Sequence, residues 1–82
     1  MMLNLGFVYL KLRRFTEVER LMKEAIQVDP RQAQADALLG AARQGSADNA
    51  GAREAFQRAL ALDPHNRLAL QGTHALGLVP PP

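Results

Sequence analysis

The sequence contains no cysteine and no tryptophan, and only four of its 82 residues are aromatic. Without cysteine the chain can form neither disulfide bonds nor thiolate metal sites. No apolar run approaches the roughly 20 residues that a transmembrane helix needs. The apolar stretch 1–10 precedes its positive charges, which reverses the order found in a secretory signal. These features are typical of a cytoplasmic protein that does not insert into membranes.

The sequence also lacks an excess of charge of one sign. Ten basic and eight acidic residues give a net charge of +2 and are mixed along the chain. A nucleic-acid-binding surface usually shows a basic stripe with aromatic residues in it, so no nucleic-acid partner is expected. The one short basic run, Lys11, Arg13 and Arg14, lies at the end of the first predicted helix and in its turn, where cations complement the helix dipole.

The most informative feature present is an internal repeat, which appears without a gap when the sequence is shifted by 34 positions. Several apolar, glycine and turn residues coincide at that shift. The matches are Leu5–Gly6 with Leu39–Gly40, Met22 with Phe56, Ala25 with Ala59, and Val28–Asp29–Pro30 with Leu62–Asp63–Pro64.

The apolar residues within each copy recur with the period of an α-helix. In the second helix of each copy they follow the i, i+3, i+4, i+7, i+8 pattern of one buried stripe. Thr16 and Glu19 have the spacing of a capping box, and Asp48 can cap the corresponding helix of the second copy. Pro30 and Pro64 suit the first turn of the helix that follows each. The resulting prediction is five helices, at 2–12, 16–28, 31–44, 49–62 and 65–77.

Gly6 and Gly40 fall inside predicted helices, where glycine costs about 1 kcal/mol relative to alanine. Their recurrence at the repeat spacing predicts close packing of the two helices of each hairpin, with Ala25 or Ala59 opposite. Replacing either glycine with leucine should then cost about 1–3 kcal/mol.

These residues resemble the signature of the tetratricopeptide repeat (TPR) family over residues 1–64. Met2 and Asp36 depart from the aromatic residue common in that family, and Arg43 departs from its tyrosine. The signature positions are Met2, Leu5, Gly6, Tyr9, Val18, Met22, Ala25 and Pro30 in the first copy, and Asp36, Leu39, Gly40, Arg43, Ala52, Phe56, Ala59 and Pro64 in the second.

The resemblance implies an all-α fold with two tetratricopeptide-like helical hairpins, a C-terminal capping helix and a right-handed α-α superhelix. The predicted domain covers 1–78, with repeats at about 1–30 and 31–64, a capping helix at 65–78 and a proline-rich tail at 79–82. It further implies a protein-protein interaction scaffold that binds a partner protein or peptide through a groove lined by the first helix of each repeat. The implied partner-binding residues are Leu3, Asn4, Phe7, Leu10, Lys11, Gln34, Leu38, Ala41 and Gln71.

Most of these lining residues are apolar or small, so the carboxylate clamp of some family members is not supported, whereas an amphipathic helix or an apolar peptide would fit. The alternative is that part of the lining belongs to the core. Leu3, Phe7 and Leu10 on the first helix are expected to be exposed and to need a neighbour. That neighbour could be another copy of the chain, a partner or an upstream segment, and in the first case the module would be a self-associating homo-oligomer. A separate alternative is a recruitment fragment of a larger enzyme or secretion component.

Residues that could support catalysis are scarce. There is no glycine-rich phosphate loop, and no acidic residue lies within one helical turn of His74, while His65 is more than two turns away from it. Asp29 and Asp63 recur at the repeat spacing and are interpreted as turn and capping residues. We expect no enzymatic activity, cofactor or metal site.

Overall fold

The helices predicted from the repeat are present in the computed structural model of the chain, which describes residues 2–77. Their bounds agree with the predicted ones to within two residues. They are α1 (Met2–Lys11), α2 (Phe15–Val28), α3 (Ala33–Gly45), α4 (Asn49–Leu62) and α5 (Arg67–Ala75). Leu78 and the predicted proline-rich tail at 79–82 lie outside the described residues.

Consecutive helices pack against one another in antiparallel fashion, and α3 lies at the centre, in contact with the other four helices. Over residues 2–77 the protein is therefore an all-α domain of five helices. None of these helices combines the length and apolar character needed to cross a membrane.

The internal repeat of the sequence is also present in the backbone. Asp29 and Asp63, which follow α2 and α4, have dihedral angles of φ −145°, ψ 98° and φ −146°, ψ 97°. Arg13 and Ala47, in the turns within each hairpin, both have positive φ, at 59° and 65°. The turn within the hairpin therefore has the same conformation in both copies, and so does the turn that follows the second helix.

The prediction that Pro30 and Pro64 lie in the first turn of the following helices is wrong. Pro30 and Pro64 lie in turns, and the following helices begin three residues later, at Ala33 and Arg67. In each turn the preceding aspartate accepts a hydrogen bond from a backbone N–H two residues on, at 3.0 and 3.1 Å. This local hydrogen bond holds the chain in a turn at the proline, so the next helix begins only after the turn.

The capping box predicted for α2 is absent, because the helix begins at Phe15 and Arg14 occupies the N-cap without a side-chain bond. Thr16 therefore lies within the first turn, and Glu19 forms ion pairs instead. The cap predicted for α4 is confirmed, since Asp48 Oδ1 accepts a hydrogen bond from the backbone N–H of Gly51 at 3.0 Å.

The core follows the predicted stripes, and Ala25 and Ala59 are buried as expected. Its largest buried side chain, Phe56 of α4, packs against two glycines on the neighbouring helices. A Cβ atom at Gly40 of α3 would lie 2.6 Å from two carbons of this ring, and one at Gly72 of α5 would also overlap it. The close helix packing is thus confirmed, although the residue opposite Gly40 is Phe56 and not Ala59.

In the first hairpin the equivalent contact is looser. A Cβ atom at Gly6 would lie 2.9 Å from Cε of Met22, which is the flexible end of that side chain. Met22 and not Ala25 is therefore the residue opposite Gly6. The two hairpins share one architecture but differ in how tightly their glycines are packed.

Candidate protein-binding face

The predicted binding face is formed by three helices that lie side by side. α3 contacts both α1 and α5, and the three run in the same direction because successive helices are antiparallel. The predicted residues lie at Leu3, Asn4, Phe7, Leu10 and Lys11 on α1, at Gln34, Leu38 and Ala41 on α3, and at Gln71 on α5.

Four of the predicted residues are exposed, and three of these form a stripe on α1. Asn4, Phe7 and Lys11 follow the i, i+3, i+7 spacing that places side chains on one face of a helix. Phe7 is 36% exposed, although phenylalanine is among the residue types most often buried. Gln71 is exposed on α5. This part of the face offers an aromatic ring, two amides and an ammonium group.

Three other predicted residues are half-buried. Leu3 and Leu10 pack against the core cluster beneath α1, and Ala41 packs against the cluster around Phe56. They can line the floor of a binding face but offer it little free surface.

The two remaining residues on α3 serve the fold. Leu38 is fully buried and packs in the core, as the alternative interpretation held, so it offers no free surface to a partner in this structure. The Oε1 atom of Gln34 accepts a hydrogen bond of 2.8 Å from Nδ2 of Asn66. Asn66 in turn caps α5 by accepting a hydrogen bond from the backbone N–H of Ala69. Gln34 therefore connects the start of α3 to the start of α5.

The exposed apolar surface of α1 differs from the one predicted. Leu3 and Leu10 are half-buried, whereas Leu5, Val8 and Leu12 are 42%, 52% and 60% exposed. Leu5 and Val8 follow the i, i+3 spacing on α1, and Leu12, in the turn directly after the helix, continues this second stripe. The sequence pattern did not indicate this stripe, because Leu5 matches Leu39 in the repeat and occupies a signature position.

A cluster of charged residues that the sequence did not reveal lies between α3 and α4. The carboxylate of Asp36 is almost fully buried and contacts Nε of Arg58 at 3.2 Å. Arg58 also pairs with Glu54 one turn earlier on α4, at 3.1 Å. Asp36 and Arg58 are far apart in the sequence, so only the packing of the two helices brings them together. The one sequence signal was an acidic residue at a position where an apolar one was expected.

An open groove of about 460 Å³ passes over α3 between α2 and α4. Its basic residues already have acidic neighbours: Arg58 contacts Asp36, while Lys23 and Arg43 lie 3.1 and 4.0 Å from Glu19. Because these charges are neutralised within the protein, we assign no anion-binding role to this groove.

Residues 2–77 contain no group of three or more histidine, cysteine or carboxylate side chains close enough to hold a metal ion. His65 and His74 are both exposed. The features available for recognition in this part of the chain are therefore the shape of the helix surfaces and their exposed side chains. No family model matches the chain, and no curated protein matches it.

Proposed function

We propose that the protein is an interaction module of the tetratricopeptide type that binds a helix or peptide of a partner protein along α1, α3 and α5. The groove would be lined by the first helix of each hairpin, with α5 as the capping helix of a right-handed superhelix. The proposal assigns no reaction to the chain, which would act as a scaffold of the cytoplasm.

The repeated geometry supports the tetratricopeptide part of the proposal. α2 and α4 both contain 14 residues, and they begin and end at equivalent positions of the two copies. Turns with closely similar dihedral angles follow them. Arrays of such helical pairs use the surface formed by one helix of each pair to bind partners.

The single observation that carries the binding part is the exposed stripe of Asn4, Phe7 and Lys11. An apolar side chain of a partner would pack on the exposed ring of Phe7. Lys11 would attract an acidic residue near one end of the bound segment, and Asn4 would hydrogen-bond its backbone or side chains. The expected ligand is therefore an apolar segment with an acidic residue.

A comparison of matched variants would test the proposal. Phe7→Glu and Gln71→Glu each place a carboxylate on the proposed groove at an exposed position, so the fold should be retained. Val28→Glu makes the same kind of change at a site that is 79% exposed at the end of α2 and serves as the control. The intact chain and the three variants would be used as bait, with far-UV circular dichroism to confirm equal helicity.

Partners captured by the wild type and by Val28→Glu, but lost with the groove variants, are the expected result. If Phe7→Glu and Gln71→Glu still captured these partners, the proposal that the partners bind in the groove would be refuted. Sedimentation over a range of concentrations would separate this function from self-association, since a tight dimer lost on Phe7→Glu would show that the face binds a second copy.

A further inference from the structure

The stripe of Leu5, Val8 and Leu12 adjoins the proposed groove at Val8 and extends away from it around α1. At 3.6 residues per turn, Leu5 lies about 160° around α1 from Phe7, whereas Val8 lies about 40–60° from Asn4 and Lys11. Leu5, Val8 and Leu12 are large aliphatic side chains with 42–60% of their surface exposed. Leaving such a stripe in water forgoes apolar burial, which suggests that it has a binding partner of its own.

The second copy of the repeat shows how the equivalent positions are covered within this protein. In the second copy of the repeat, the equivalents of Leu5 and Val8 are Leu39 and Ala42 of α3, and both are only 1% exposed. They belong to a core cluster to which α2 contributes Val18, Met22 and Ala25.

The same positions are covered once more at the end of the domain. One further repeat spacing along the chain, the equivalents of Leu5 and Val8 are Thr73, which is 4% exposed, and Leu76, which is half-buried against the cluster around Phe56. α4, which precedes α5, contributes four buried residues to the core. In α3 and α5, therefore, the face equivalent to the stripe is covered by packed helices that include the preceding one.

We infer that the Leu5–Val8–Leu12 stripe binds an amphipathic helix of a partner protein, one that presents aliphatic and small side chains in the pattern of α2. The buried residues of α2 follow the i, i+4, i+7 spacing, and the partner helix would use the same spacing against α1. This inference goes beyond the proposed groove, because the stripe is centred on a different part of α1: Leu5 lies about 160° around the helix from Phe7.

Charge determines which kind of partner fits. Residues 2–14 contain three basic residues, Lys11, Arg13 and Arg14, and no acidic one. Arg14 pairs with Glu17 of α2 at 3.4 Å, which leaves Lys11 and Arg13 at the end of α1 to attract acidic residues of a partner. A second copy of α1 would bring two basic segments into one interface, whereas a helix with acidic edges would complement them. In the α2–α3 contact the charged edge is also acidic on the covering helix, since Glu19 of α2 faces Arg43 of α3 at 4.0 Å. The partner helix is therefore acidic along its edges.

A peptide of residues 15–29 of this chain is the probe for the test, because it carries both the apolar pattern and the acidic edges. It contains four acidic and two basic residues. Arg20 and Glu24 are both exposed in α2 and one helical turn apart. A covalent link that replaces these two side chains would hold the peptide helical without touching its apolar stripe. The linked peptide would keep three acidic residues and one basic residue. Its binding to the full-length chain would be measured by fluorescence anisotropy.

The expected result is saturable binding that Leu5→Glu with Val8→Glu weakens more than about tenfold, because the apolar contact is lost and a carboxylate must be desolvated. Leu62→Glu, at a residue that is 43% exposed on α4, is the matched control and should leave binding unchanged. A probe carrying Val18→Glu and Met22→Glu should not bind. Circular dichroism would confirm that the protein variants keep their helicity.

The inference is overturned if the probe does not bind, or if Leu5→Glu with Val8→Glu leaves the affinity unchanged, as expected if the probe merely displaces α2. It is also overturned if the protein alone forms a concentration-dependent dimer that the double variant abolishes, since a second copy would then occupy the stripe. The proposed groove is tested at Phe7 and Gln71, so the two proposals can fail independently.

Discussion

Replacing Gly40 with alanine should destabilise the protein, although alanine is the better helix former. The new Cβ would lie 2.6 Å from two ring carbons of Phe56, and the ring cannot retreat because Gly72 is packed against its far edge. Overpacking of a rigid site costs about 1–3 kcal/mol, and this ring is confined on both sides, which favours the upper end. Helix propensity returns about 1 kcal/mol. The expected net loss is about 2 kcal/mol.

Gly6→Ala is the matched control, because Gly6 occupies the position of Gly40 in the first copy of the repeat. Its Cβ would first meet Cε of Met22, at 2.9 Å, and then Cδ1 of Leu38, at 3.3 Å. The methionine methyl can rotate away because its side chain has three soft torsions. The gain in helix propensity then dominates, and the variant should be as stable as the wild type or more stable by up to about 1 kcal/mol.

Urea unfolding followed by far-UV circular dichroism would measure both effects. A loss of about 2 kcal/mol should appear in thermal unfolding as a fall of about 8–16 °C in Tm for a domain of this size. In a double-mutant cycle, Phe56→Leu should relieve the strain of Gly40→Ala and give a coupling energy of about 1–2 kcal/mol. Equal effects of the two alanine substitutions, or additive effects of Gly40→Ala and Phe56→Leu, would refute the packing described.

Caps and ion pairs allow further tests by the same unfolding assay. Asp48→Ala should lose about 1 kcal/mol through its cap, whereas Thr16→Ala should change stability by less than about 0.5 kcal/mol; equal losses would contradict the assignment of the caps. Arg58→Ala should cost about 1–2 kcal/mol because it leaves the buried carboxylate of Asp36 without its cation, and Glu54→Ala less than about 0.5 kcal/mol. Replacing Asp36 and Arg58 together with leucine and methionine should restore stability to near the wild-type value. A double variant as unstable as Arg58→Ala would count against this account.

The sequence was sufficient to predict the number of helices and their order. Periodic apolar stripes define amphipathic helices, and the repeat of Met22 at Phe56 and of Asp29 at Asp63 defines two similar hairpins. These signals are local, because each depends on residues within one helix or on one spacing between two copies. For that reason these signals can be recognised without knowledge of how the helices pack.

Helix starts were less predictable, because contacts between helices shift them. α2 begins at Phe15, one residue before the predicted capping threonine. The ring of Phe15 packs against Gly45 at the end of α3, where a Cβ would overlap it, and the guanidinium of Arg13 lies 5.3 Å from the ring centre. These contacts place Phe15 in the first turn of α2. Thr16 therefore lies inside the helix, where it cannot act as the N-cap.

Helical periodicity and turn residues act over a few neighbouring positions, so the sequence alone indicates the five helices of residues 2–77, four of them in two similar hairpins. Which apolar residues face water depends instead on how the helices pack against one another. Leu5 and Leu39 occupy the same position in the repeat, yet one is 42% exposed and the other 1%. The difference arises because α3 lies at the centre of the domain, with α2 packed against it, while α1 lies at the edge.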